Sequence, residues 1–166
     1  MGKKIDQVKF DEYKLFIDDT ARFTDRRQNA SNLYVTVNSL LLTAIAFIVK
    51  DALFKETWAF LLTIPIIVSG IFVSIWWKQL LHRYRELGRL RFRALREMEK
   101  SPKLDGIEKM YHHEDKLYPR NPDGTVQQGK GLNFSDLESK LPTMFIVLYS
   151  IALTGVLIAL AIILCK

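Results

Sequence analysis

The stretch "TWAFLLTIPIIVSGIFVSIWWKQLLHRYRELGRLRFRALREMEK", residues 57–100, decides the fold. Its first part, 57–77, carries no charge at all, and 76–100 then holds eight Lys or Arg against three Glu. A bilayer core takes about 20 apolar helical residues, so the first part reads as a membrane span. Helical spacing does not stop at its edge. Leu80, Tyr84, Leu87, Leu90, Ala94 and Met98 recur every three or four residues, an apolar stripe that needs a partner. One helix should therefore leave the membrane and continue as a basic amphipathic rod. It should end at "SPK", because Pro102 disfavours helix in the residue before it.

Two further apolar runs, 33–49 and 143–165, have membrane length. The expected fold is all-α, with three transmembrane helices, a cytoplasmic helical collar and an oligomeric assembly. Its segments are a cytoplasmic amphipathic helix at 1–31, a transmembrane hairpin at 32–77, a basic helical region at 78–142 and a third span at 143–166. Lys and Arg number seven in 1–31 and fourteen in 78–142, but two in "KDALFKE" and one at Lys166. Positive charge is retained on the cytoplasmic side, which places the N-terminus inside and the C-terminus outside. The segment 1–31 lacks the apolar core and cleavage site of a signal peptide. Trp58, Trp76 and Trp77 are expected at headgroup level. Cys165 is the single cysteine, so no disulfide within the chain can form.

In the first segment, Val8, Tyr13, Ile17 and Ala21 give a helical apolar stripe among aspartates. "LDGIEKMYHHEDKLY" reads as one short helix and "PRNPDGTVQQGKG" as a loop. "NFSDLESKLP" reads as another short helix, with Asn133 or Ser135 as its N-cap. Pro142 introduces the last span.

Asn32, Thr36, Ser39, Thr43 and Lys50 fall along one side of the first span, with Asn38 beside them. Such groups either line a pore built from several copies or join spans by hydrogen bonds. Asn32, Thr36, Ser39 and Thr43 are the pore-lining candidates. Gly70 and Ser74, and Gly155 and Ala159, carry the small-xxx-small spacing of close helix contacts, and Pro65 is a candidate kink. Arg85, Arg89, Arg93 and Arg96 line one face of the basic helix, and guanidinium groups match phosphate. Arg93 and Arg96 stand about 25 Å beyond Trp77 on a straight helix, out of reach of lipid headgroups. These four arginines are the candidate nucleotide site. His112, His113, Glu114 and Asp115 are adjacent rather than on one helix face, and read as solvated surface. No phosphate-binding glycine loop, nucleophile elbow or HExxH is present, so neither an enzyme nor a cofactor is expected.

"DRRQNASNLYVTVNSLLL", "WWKQLLHRYRELGRLRFRALREME" and "SDLESKLPTMFIVLYSI" together resemble small bacterial membrane proteins encoded beside anti-phage genes. The pattern looks most like the membrane effectors of Hailong-type defence, and more loosely like the octameric pore proteins that accompany some type VI CRISPR systems. The resemblance implies a homo-oligomeric channel, a tetramer or a larger ring. A nucleotide or oligonucleotide messenger, made by a partner nucleotidyltransferase, would open it. Membrane lipid is the other expected partner. A non-conducting adaptor that docks a soluble defence enzyme is the competing reading.

Overall fold

The computed structural model describes residues 6–54, 59–117, 119 and 134–165. Four α-helices and one short 3-10 turn make up the described elements: α1 (Gln7–Phe54), α2 (Ala59–Glu99), the turn Pro102–Leu104, α3 (Met110–Leu117) and α4 (Phe134–Leu164). α1, α2 and α4 are each long and apolar enough to cross a membrane. The expected all-α, three-span architecture is the one observed.

The fold divides into two compact units. A membrane unit comprises residues 29–82 and 138–166, and a charged unit comprises 1–28 and 83–137. α1 and α2 contribute to both, since neither helix is interrupted where its apolar run meets its charged run.

In the membrane unit, Ile67, Trp77 and Tyr149 have no exposed surface. Lipid is as apolar as these side chains, so burial among helices gains little there, and close packing and hydrogen bonds hold spans together. Both are present. Ser74 Oγ lies 2.8 Å from Asn38 Oδ1, and Tyr149 Oη donates to the Asn38 carbonyl at 3.1 Å. This polar knot joins α1, α2 and α4. Gly70 lets the Tyr149 ring lie against α2, because a β-carbon at Gly70 would come within 3.0 Å of three ring atoms. The spacing of Gly70 and Ser74 thus serves packing within one chain. Gly155, by contrast, has nothing within 4 Å of its β-position.

Trp77 departs from expectation. It is buried, with its ring 5.8 Å from that of Tyr34 and 6.1 Å from that of Phe145. Trp76 is 62% exposed and free to lie at a headgroup boundary; the Trp58 side chain lies outside the described residues. Two adjacent residues on a helix point about 100° apart, so a Trp-Trp pair at a span's end cannot both face lipid if one fills the core.

The charged unit has an aqueous type of core: Tyr13, Leu95 and Leu104 are buried, with Phe10, Ile17, Phe92 and Tyr111 packed against them. Burying each such side chain away from water stabilises by about 1.5–3 kcal/mol. The inward stripes differ from those expected. On α1, Tyr13 and Ile17 turn inward, whereas Val8 and Ala21 are exposed. On α2, Leu87 and Leu90 are exposed while Gly88, Arg91 and Leu95 take the inward positions. The cause lies in the partners. Phe23 of α1 lies over Gly88, where a β-carbon would meet its ring at the ordinary contact distance of 3.8 Å, and Tyr84 packs on the same ring at 5.3 Å.

α2 ends where Pro102 requires it to. Ser101 caps the 3-10 turn, accepting from the Lys103 N–H. Gly106 then takes φ 111°, a left-handed conformation that favours glycine, and the chain turns into α3. The short helix expected over residues 104–118 is confined to Met110–Leu117. α4 starts at Phe134 and runs through Pro142 without a break, so the expected short helix and last span are one element. Ser135 falls inside it. Asn133 and nearly all of the expected loop lie outside the described residues. α2 likewise continues through Pro65.

Candidate functional site

Asn32, Thr36, Ser39, Thr43 and Lys50 are all exposed on α1, whereas Asn38 is fully buried. The polar line therefore splits by direction. Asn38 turns inward to the polar knot, and its Nδ2 donates to the Tyr34 carbonyl at 2.8 Å. The other positions turn outward from the three-helix packing. Thr36 and Thr43 donate to the carbonyls of Asn32 and Ser39, at 2.9 and 2.8 Å. Hydroxyls bonded in this way tolerate an apolar surrounding, yet retain acceptor capacity for water. Ser150 and Thr154 on α4 behave the same way, donating to the carbonyls of Ile146 and Ser150. Of the apolar windows that mark the three spans, 11% is buried in α1, 28% in α2 and 11% in α4. The faces of α1 and α4 are thus left for lipid, water or other subunits.

In the charged unit, Arg89 and Arg93 are exposed, and Arg85 and Arg96 are half-buried with interactions of their own. All four fall on one side of α2 by helical spacing. Arg91 lies outside the expected stripe. It pairs with Asp19 of α1, and its guanidinium lies 4.6 Å from the centroid of the Phe23 ring. That arginine joins helices. A charge run cannot by itself reveal which member turns inward, but Gly88, three residues earlier on the same face, marks where α1 comes close.

Nothing in the sequence marks Glu99 as a centre, yet the fold makes it one. It is 3% exposed, and its carboxylate gathers donors from two other elements. Tyr13 Oη of α1 donates to Oε1 at 2.8 Å. The backbone N–H groups of Tyr111 and His112, in the first turn of α3, donate to Oε1 and Oε2 at 3.0 and 3.1 Å. His112 Nδ1 contacts Oε2 as well. Helix N-termini leave their first N–H groups unsatisfied, and a carboxylate there also meets the favourable end of the dipole. Burial pushes the Glu99 carboxyl up, but His112, the α3 amides and Tyr13 together outweigh it and hold the group below its ordinary value. Burial, then the bond to Glu99, pushes the Tyr13 phenol up. His112 is therefore engaged in structure rather than solvated. Among the described residues no group of three or more His, Cys, Asp or Glu could hold a metal ion.

No curated protein and no solved structure matches the chain. A family model does, over residues 10–161, a range that takes in the first two apolar runs, the whole basic helix and all but the end of the third span. The protein is thus a helical membrane protein of an oligomeric kind, and it belongs to the octameric membrane protein family.

Proposed function

We propose that the chain forms an ion channel or pore in the bacterial inner membrane. It opens on a nucleotide or oligonucleotide signal from the cytoplasm and depolarises an infected cell. The observation that carries this reading is the outward direction of Asn32, Thr36, Ser39 and Thr43. Three helices in one chain cannot enclose a water-filled path, but a ring of chains brings one such polar face from each subunit to a shared axis. Eight subunits, as the family description has it, make that ring wider than a tetramer. The basic unit then forms the cytoplasmic collar, with Arg85, Arg89, Arg93 and Arg96 repeated around it as the phosphate-binding groups. The messenger's source in a partner nucleotidyltransferase, and the role in phage defence, rest on the resemblance of the three sequence blocks.

Purified protein in liposomes tests the reading. With its messenger supplied, wild type should conduct ions, and Ser39→Leu and Thr43→Leu should assemble normally yet conduct less, because an apolar ring gates by dewetting. Variants that dissociate in detergent while their residual conductance is unaltered would make these hydroxyls packing groups. No conductance from assembled wild type with its messenger would favour the adaptor.

A further inference from the structure

We propose that the charged units of neighbouring subunits meet edge to edge, with carboxylates on α1 of one copy facing cations on α2 of the next. Asp11, Asp18 and Asp25 are exposed and spaced by seven, so at about 100° per residue they share one stripe of α1. Arg89, Arg93, Arg96 and Lys100 recur every three or four residues along one stripe of α2 and its C-terminal end. Within a protomer the two helices meet through Asp19 with Arg91 and Phe23 with Tyr84. Counted around each helix from those contacts, both charged stripes lie roughly 100° or more away. The unit therefore has an edge on α1 where Asp11, Asp18 and Asp25 outnumber the exposed Lys14 and Arg22 beside them, and a cationic edge on α2. Asp18, Asp25, Arg89 and Arg93 make no ion pair among the described residues.

The partner that fits both edges is a second copy of this chain. Subunits of a membrane oligomer share one in–out orientation, so the axis relating them runs along the membrane normal, and unlike edges must meet as the ring closes. Contact between like edges would set carboxylate against carboxylate. The register also agrees. Tyr13 bonds to Glu99 and Asp19 to Arg91, so each step forward along α1 matches about one step back along α2. Carried across a seam whose helices run along the axis, this register puts Asp18 level with Arg93, Asp11 with Lys100 and Asp25 with Arg85. An exposed ion pair stabilises little on its own; the seam's role is to set the direction and spacing of the ring, as complementary charge does at other interfaces. Arg89 comes level with Arg22, which is also exposed. That pair of cations has no carboxylate level with it and leaves a gap for an anion; this rests on the ligand reading above and narrows it, since the seam engages Arg85 and Arg93 and leaves Arg89 and Arg96 for phosphate.

Disulfide trapping tests the seam without any ligand, so its failure is separate from failure of the channel reading. On a Cys165→Ser background, chains carrying both Asp18→Cys and Arg93→Cys are oxidised in isolated membranes and run under denaturing, non-reducing conditions. A ladder from dimer upward is expected, with Arg93→Cys alone staying monomeric. No ladder from the pair, or as much dimer from Arg93→Cys alone, overturns the proposal. Should the cysteine pair fail to assemble, the swap Asp18→Arg with Arg93→Asp decides. Each single reversal should weaken assembly and the swap should restore it if the two groups face each other, and a swap that assembles no better than the single variants, or single variants that assemble like wild type, overturns the pairing.

Discussion

Tyr149 lies against Gly70 so closely that no side chain fits between the ring and α2. Its hydroxyl, at the other end, donates to the Asn38 carbonyl of α1. One residue of α4 thus registers both neighbouring helices. Gly70→Ala should force the buried ring out of place and destabilise the membrane unit by about 1–3 kcal/mol, as overpacking does. Thermal unfolding of the detergent-solubilised protein reads this as a lowered midpoint. Tyr149→Leu, combined with Gly70→Ala, should recover part of the loss, since the ring that clashes is gone. An unchanged midpoint in Gly70→Ala would mean that α4 does not pack here.

Ser74 and Asn38 form the buried side-chain bond of the same knot. Ser74→Ala should cost about 1–3 kcal/mol, because it leaves the Asn38 side-chain carbonyl buried without that partner. Ser74→Ala in an Asn38→Leu background should cost clearly less. A double-mutant cycle of unfolding midpoints measures the difference, and strict additivity would show that the two groups act independently.

Glu99 makes the charged unit sensitive to acid. Its carboxyl is held below the ordinary value in the fold, so the unfolded chain binds the proton more readily, and stability rises with pH across that interval. The contribution is complete above about pH 4.3, the ordinary value for Glu, and is lost as pH falls through the folded value. Glu99→Gln should lower stability at neutral pH by about 1.5–3 kcal/mol, the worth of hydrogen bonds to a charged group. It should also flatten the acid limb of the unfolding midpoint against pH. Hydrogen exchange should locate the change at Tyr111 and His112, whose N–H groups the carboxylate holds. An acid limb identical to wild type would remove Glu99 from this role.

The difference between what could and could not be read from sequence follows from range. The three spans and the stop at Pro102 are local properties, set by run length and by the proline ring, and the structure has them. The inward face of α2 is not local. Leu87 and Leu90 look like core residues by hydropathy, yet Gly88 and Arg91 face inward because Phe23 and Asp19, far away in the chain, meet them there. Glu99 is hidden for the same reason. A glutamate near a helix end ordinarily reads as solvated, and only the return of the chain at Gly106 brings the α3 amides to it. Of the candidate site, the shared face of Asn32, Thr36, Ser39 and Thr43 was legible from spacing, because side-chain direction on one helix is local too.

Orientation can be measured directly. A reporter fused after Lys166 should report the outside, and one inserted at Gly124 the cytoplasm. The basis is twenty-one Lys and Arg in the two basic regions against three elsewhere, and the retention of such charge inside. Reporters that give the same side would contradict a span between them.

Arg89 and Arg22 provide the sharpest test of ligand binding. Both are exposed, on different helices, and the proposed seam brings them level with no carboxylate opposite. A short single-stranded oligonucleotide serves as the phosphate probe. Arg89→Glu should weaken its binding to the solubilised oligomer by about tenfold or more, the size of one charge-assisted hydrogen bond. Arg22→Glu should do the same, although Arg22 lies outside the arginine run of α2. Neither change should alter particle mass, because neither residue faces a carboxylate across the seam. Wild-type binding should also fall steeply as salt rises, as the release of condensed counterions requires. If Arg89→Glu weakens binding and Arg22→Glu does not, the phosphates rest on α2 alone and the seam does not form the site. Full binding by both variants would leave the cationic face of α2 to assembly.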